Sequence, residues 1–367
     1  MKKIRFVMLG GFLGAGKTTA IARLARHYIE QGLNVGLVTN DQAYDLVDTQ
    51  SLRAQGFRVG EVPGACFCCK FNDLIDVASE LAADQQPDLI ITEPVGSCTD
   101  LMATVIEPLR HLHGDRYEIA PLAVLLKPEH GQRILGETTS GGFSPKAEYI
   151  FLKQIEEADI VVLNKVDKLT DAQRDELVRL VEERFPDKTI LTASAKTGEG
   201  FDRLLELLDE TSTPAERLME VDYQVYAEGE AELGWLNCTA EVKAAGDKEF
   251  PLDDLLVDLV EGLKNALESA GAEPAHLKVL GMADQETGIA NLVGSGVGAE
   301  LSLASQVRVP AAHLIVNARV ATDPELLSTL VEVELQRQCQ ARGLELQLGD
   351  IQRFRPSPPV PTHRISR

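Results

Sequence analysis

The stretch Gly11-Phe12-Leu13-Gly14-Ala15-Gly16-Lys17-Thr18-Thr19 constrains this chain more than any other. It fits GxxxxGK[ST], a pattern that works only where a strand ends and a helix begins. An apolar run of Ile4, Phe6, Val7, Met8 and Leu9 precedes it. A helical pattern through Ile21, Leu24, Ala25 and Tyr28 follows and stops at Gly32. Gly11, Gly14 and Gly16 free the backbone, Ala15 included, to turn its N–H groups around phosphate oxygens, where a side chain would block the approach. The helix N-terminus adds its positive end. Lys17 is expected to reach the β- and γ-phosphates and the Thr18 hydroxyl to ligate Mg²⁺, with Thr19 completing the nucleotide-binding set.

Further strands read at 35–39, 89–92, 120–126, 160–163 and 189–191, with helical runs between them. Such alternation implies a parallel sheet with right-handed crossovers and ligands at the strand C-termini. The stretch 41–63 reads as mixed and polar, and 127–147, rich in Gly, Ser and Thr, as a mobile loop. With 367 residues and 40.0 kDa, the chain is too long for one ordinary core. The pattern changes after Pro214. From there a β-α-β-β-α-β order suggests a ferredoxin-like layer. The expected fold is therefore α/β: a P-loop NTPase domain over 1–210, a linker at 211–220, a smaller α+β domain over 221–355, and a disordered or extended Pro-rich tail at 356–367. Gly294-Ser-Gly296-Val-Gly298 opens no helix and reads as a hairpin or loop.

The formal charge of −21 excludes nucleic acid and anionic lipid as main partners, and leaves metal cations and basic protein surfaces open. No run approaches 18 unbroken apolar residues, and the first strand starts at once, so a cytoplasmic chain without signal peptide or membrane span is expected. Six cysteines, three of them within four positions, fit a reducing compartment and a metal or redox site.

Asn164-Lys165-Val166-Asp167 follows an apolar strand and decides the nucleotide. A carboxylate at Asp167 accepts from the N1–H and the amino group of guanine, a donor pair adenine lacks, so GTP is implied over ATP. Asn164 is expected on the other edge of the base and Lys165 along the ring, with Ser194-Ala195-Lys196 as a second guanine loop. Glu93 ends a buried strand where a carboxylate would meet Mg²⁺. Asp41, ending the second strand, is placed to orient water or metal near the γ-phosphate.

Cys66-Phe67-Cys68-Cys69, behind a Pro-Gly turn, can bring three thiols onto one Zn²⁺-like cation. Three protein ligands leave a tetrahedral position open, which suits a metal that is handed on. Cys98 reads as a loop cysteine, with a further metal ligand as the alternative, Cys238 and Cys339 as small core residues, and His111 and His113 as a solvated helix end in preference to a metal site.

Together GGFLGAGKTT, the CxCC between the second and third strands, the strand-end Glu93-Pro-Val-Gly96 and the NKxD at Asn164–Asp167 resemble the CobW-like metallochaperones, a branch of the metal-handling P-loop GTPases. The resemblance implies GTP hydrolysis with Mg²⁺, Zn²⁺ or Co²⁺ on the CxCC thiols, and delivery to a metal-requiring client protein. From their places at the phosphate loop and the strand ends, Lys17, Asp41 and Glu93 are the residues expected to serve hydrolysis. The chain departs from the family at Asn40-Asp41-Gln42-Ala43 and at Gly96-Ser97-Cys98-Thr99-Asp100, and it lacks a histidine-rich stretch. A regulatory GTPase switch, with redox-sensing or idle cysteines, is the alternative. The oligomeric state stays open, a nucleotide-dependent dimer among the options.

Overall fold

A computed structural model describes residues 2–42, 47–84, 86–136, 144–210, 218–292 and 298–366. It divides into two compact units, Met1–Gln42 with Phe57–Gly229 and Pro358–Arg367, and Ala43–Gly56 with Glu230–Ser357.

The first unit is built on eight strands: β1 Ile4–Gly11, β2 Val35–Asp41, β3 Val59–Pro63, β4 Leu89–Glu93, β5 Tyr117–Ile119, β6 Ala123–Leu126, β7 Ile160–Leu163 and β8 Thr189–Thr192. All pair in parallel in the order β3-β2-β4-β1-β6-β7-β8, with β5 beside β1. β4, β6 and β7 are buried along their whole length, as strands covered on both faces must be. β1 lies between β4 and β6, and the strand-end loops on either side of it open onto one edge. The α/β P-loop architecture is as the alternation implied.

Two stretches differ from their sequence reading. Within 41–63 lie a helix, Val47–Ala54, and strand β3, whose Gly60 has no side chain because the Val77 side chain would sit 2.3 Å from its Cβ. Pro128–Leu135 is a helix with Pro128 in its first turn, where the missing N–H costs nothing. Gly131 lets that helix close onto Leu126 and Leu177, whose side chains lie 2.9 and 2.6 Å from where a Cβ would stand. At the other end of the expected loop Pro145 opens the helix Pro145–Glu157, and 137–143 lies outside the described residues, as do most of the linker (211–217) and of the glycine loop (293–297). The expected strand at 120–126 is shorter, β6 at Ala123–Leu126, with Pro121 between it and β5.

The second unit is an antiparallel sheet in the order β13-β12-β11-β15-β9-β16, made of β9 Gly234–Ala244, β11 Glu273–Ala283, β12 Glu286–Leu292, β13 Glu300–Leu303, β15 Ala311–Ala321 and β16 Leu344–Phe354, while β10 Phe250–Pro251 pairs with β14 Arg308–Val309. Helices Leu252–Ser269 and Pro324–Arg342 pack on one face, where Leu255, Leu259 and Leu263 meet Leu277, Leu314 and Val316. The second helix is opened by Asp323, which accepts from Glu325 N and Leu326 N, and closed by Gly343 in the left-handed region. On the other face Val47 joins Leu280, Ile289 and Ile315, and Asp48 pairs with Lys278. The β-α-β-β-α-β core is thus present with β12 and β13 added at its edge.

A single cut near 211–220 does not describe the units. Helix Val47–Ala54 belongs with the second, whereas helix Tyr223–Glu230 up to Gly229, and the segment from Pro358 onward, belong with the first.

Glu157, closing helix Pro145–Glu157, is buried and accepts from Met102 N at 3.0 Å and Thr99 Oγ1 at 3.3 Å. Burial above all lifts its carboxyl to about 8, so it is neutral at pH 7. The native state then binds a proton that the unfolded chain releases above its ordinary carboxyl pKa of about 4.3. Stability must fall as pH rises from there towards 8, by at most about 1.4 kcal/mol per pH unit for this group. Glu157→Gln should flatten that decline in urea melts at pH 5 and 8; an equally steep decline would refute the neutral carboxyl.

Candidate functional site

The loop after β1 turns as its glycines require. Gly11, Gly14 and Gly16 all have positive φ, at 133°, 73° and 92°. A Cβ on Gly11 would stand 2.4 Å from Leu125 O, and one on Gly16 2.6 Å from Asn164 Nδ2. Lys17 opens helix Lys17–Glu30 and folds its Nζ back to Gly11 O at 2.9 Å, within the cradle its ammonium would share with phosphate. Thr18 Oγ1 donates to Glu93 Oε1 at 3.1 Å. A hydroxyl and a buried carboxylate side by side are the hard oxygen donors Mg²⁺ takes.

On the other side of β1, Asp167 Oδ1 accepts from Ser194 Oγ at 2.6 Å, and Ser194 Oγ also accepts from Thr197 N at 3.1 Å. Asn164–Asp167 and Ser194–Lys196 are therefore one structure. Lys165 takes a left-handed φ of 64°, unusual for a side-chain-bearing residue and a mark of a constrained site. Asn164 joins the loops on its two sides. Its amide donates to Ala15 O at 2.7 Å and its carbonyl accepts from Ala195 N at 2.9 Å, tying the phosphate loop to the second guanine loop. Arg23 adds a tie from helix Lys17–Glu30, donating to Ala195 O at 2.7 Å and Lys196 O at 2.8 Å. Lys127, ending β6, is buried near Lys165, and burial brings its ammonium down to about 8. The sequence reading passed over it, although a lysine behind an apolar strand is a signal of its own.

Cys66, Cys68 and Cys69 converge within 4.8 Å of one another. The Sγ separations are 2.8 Å for Cys66–Cys68, 3.4 Å for Cys66–Cys69 and 3.8 Å for Cys68–Cys69. Sulfurs on a tetrahedral ion with bonds of ~2.3 Å lie about 3.8 Å apart, so the trio needs only a small spreading to fit. Cys69 N and Lys70 N both donate to Cys66 O, a turn that leads into helix Phe71–Asp84 and sets the thiols at its positive end. Hydrogen bonds from Cys68 and then Cys69 bring the Cys66 thiol well below its ordinary range, while the same contacts raise Cys68 and push Cys69 up to about 11. Cys98 also shares a hydrogen bond with Cys66, so it is not a stray loop residue. Buried Gln154 pins its loop, donating to Gly96 O at 3.0 Å and Cys98 O at 2.8 Å.

Sequence reasoning also missed the role of Asn40. Its amide donates to Val62 O at 2.7 Å and Ala65 O at 2.6 Å, and its carbonyl accepts from Phe67 N at 2.8 Å. It therefore carries the thiol loop on the end of β2, one residue before Asp41. Asp41 itself caps the next peptide through Gln42 N at 2.6 Å. Cys238 and Cys339 are buried in the core of the second unit, and His111 turns back to Glu107 O at 2.8 Å on its helix end.

The nucleotide-binding domain model of the CobW/HypB/UreG family matches residues 5–192, more than half of the chain. The chain belongs to this family of P-loop GTPases. The CobW/HypB/UreG match begins in β1 and ends with β8, so it covers the parallel sheet and every site residue before Ala193. A zinc chaperone of Escherichia coli (strain K12), YeiR, is 28% identical over 191 residues, 50% of this chain and 53% of that protein. A urease accessory protein of Metallosphaera sedula, UreG, is 28% identical over 216 residues, 54% of this chain and 90% of that protein. The chain thus spans about half the length of the zinc chaperone it matches. HypB from Helicobacter pylori, solved in complex with nickel, aligns over 58% of this chain and 92% of its own at 19% identity and a TM-score of 0.42. Among the described residues no helix is long and apolar enough to cross a membrane.

Asn40→Ala should cost about 1–3 kcal/mol of stability, because the buried Phe67 N–H then has no acceptor. Chemical denaturation of the two proteins measures it. An unchanged midpoint and slope would mean that the thiol loop does not hang on Asn40.

Proposed function

We propose that the chain is a GTP-hydrolysing metallochaperone that takes up Zn²⁺ or Co²⁺ on Cys66, Cys68 and Cys69 and delivers it to a client protein. One observation carries the reading: the thiol loop is bonded to the end of β2 through Asn40, next to the Asp41 that faces the nucleotide edge. Movement at the nucleotide and movement of the thiols then share one element.

The donor sets fit the groups they would hold. The positive-φ glycines form a cradle that a side chain would fill, and Lys17 lies at its mouth. GTP with Mg²⁺ would supply an activated phosphoanhydride whose cleavage resets the switch. Thr18 and Glu93 would hold the ion, Lys17 would leave Gly11 O for the phosphates, and Asp41 would orient the attacking water. Asp167, held by Ser194, would accept from the guanine edge, while Asn164 keeps the two loops in register. The metal cargo suits soft thiolates, and the hydrogen bonds from Cys68 and Cys69 lower the Cys66 thiol toward that form. The resemblance to proteins named as zinc chaperones supports the same cargo.

Lys17→Ala should abolish hydrolysis and most nucleotide binding, and Asp167→Asn should weaken GTP by about 2 kcal/mol or more by setting a donor against a donor. Hydrolysis at the parent rate in the first, or equal affinity of the parent for ATP and GTP, would refute the nucleotide assignment.

If the triphosphate form gathers the sulfurs, GTP and metal must tighten each other by the same factor, about 5- to 150-fold for a typical coupling of ~1–3 kcal/mol. Zn²⁺ and Co²⁺ titrations with no nucleotide, GDP and a non-hydrolysable GTP analogue measure it, with Cys66→Ser, Cys68→Ser and Cys69→Ser as controls. Equal metal affinity in every nucleotide state, or binding that survives loss of the thiols, would leave the regulatory switch as the better account.

A further inference from the structure

The segment from Pro358 to Ser366, read from sequence as a disordered or extended tail, is extended and lies along the thiol loop of its own unit. Thr362 N donates to Cys68 O at 2.8 Å and Thr362 Oγ1 to Cys69 O at 2.9 Å. Val360 N donates to Cys69 Sγ at 3.2 Å, and Ile365 N to Ala103 O at 2.9 Å. The His363 ring meets Phe71 edge-on, with centroids 5.1 Å apart. Burial alternates, with Pro359 buried and Val360 77% exposed, as in a strand laid on a surface.

One charged contact anchors it. Arg364 Nε donates at 2.7 Å to Asp100 Oδ2, which also accepts from Tyr223 Oη at 2.7 Å, and the second Arg364 nitrogen reaches Met219 O at 3.2 Å. The Asp100 side chain is 1% exposed and its backbone is held at φ 65°. A carboxylate so buried needs its cation, because removing one partner of a buried pair leaves an uncompensated charge.

We propose that this segment is a strap completing the metal site: Arg364 latches it to Asp100, its Val360 N–H supports the Cys69 sulfur, and it must lift before metal leaves. The inference rests on the metal-binding role of the thiols. An N–H donated to a metal-bound thiolate shares its negative charge and fixes its direction, as outer partners do for other metal ligands. The same strand of backbone covers the outer side of Cys69, the least buried of the three. Val360, Thr362 and Arg364 are positioning residues here, and none of them is a ligand.

Two variants separate the latch from the donor. Arg364→Ala removes the anchor. Val360→Pro removes one N–H and sets a ring carbon against Cys69 Sγ, in a Pro358-Pro359-Val360-Pro361 run that already suits proline. Transfer of Zn²⁺ to an excess chelator is followed by stopped flow in the full chain, beside amide exchange of the metal-free protein. Both variants should bind the parent's stoichiometry of zinc and release it about fivefold faster or more, the scale of one lost hydrogen bond. The Thr362 and Ile365 amides should be protected in the parent and exchange freely in Arg364→Ala. Parent-like release in both variants, or unprotected amides in the parent, would overturn the strap while leaving thiol-dependent zinc binding intact. A parent that takes up no zinc would overturn the metal reading and the strap with it.

Discussion

The close approach of β1 to β6 is the constraint on which the rest of the first unit depends. Gly11 lies against the backbone of Leu125, so near that a single Cβ would overlap the carbonyl. Only because that side chain is missing can the chain leave the middle of the sheet and curl into a loop of inward N–H groups. The parallel arrangement brings every other strand end to the same edge. Lys17, Thr18, Asp41, Glu93, Asn164 and Asp167, scattered over 150 residues of sequence, share it for that reason.

Two buried asparagines make separate loops act together. Asn164 spans the phosphate loop and the Ala195 loop, and Asn40 spans the end of β2 and the thiol loop. An amide suits this work because it presents both a donor and an acceptor in a fixed plane, so one side chain can satisfy backbone groups of opposite kind. Buried backbone groups left without such partners would destabilise the loops they belong to.

The second unit follows a different logic, a layer of helices on an antiparallel sheet. Arg319 is buried on its other face with its guanidinium 3.9 Å from the centroid of the Trp235 ring, and it donates to Leu236 O and Ala318 O. Stacking on the ring and bonding to carbonyls lets a permanent charge remain where water is excluded. The helix Val47–Ala54 completes that face from a distant part of the sequence. The chain that leaves β2 after Asp41 thus contributes to the second unit before it returns as β3.

The phosphate loop, the guanine motif, the CxCC and the alternation of strands and helices were legible in the sequence, because each is a local pattern whose chemistry needs particular residue types at short spacing. The elements at 47–54, 59–63 and 128–135 were not, since polar composition and turn-forming residues hid patterns that only burial against distant partners explains. The same reason separates the site residues. By itself the sequence determined the local motifs and the family they belong to. Tertiary structure decided that Asn164 ties two loops together, that Asn40 carries the thiols, that Cys98 comes within hydrogen-bonding reach of Cys66, and that a proline-rich segment far along the chain lies over Cys69. Those are contacts between residues 22 to 291 positions apart, set by sheet order and the satisfaction of buried polar groups, for which no short stretch of sequence holds a signal.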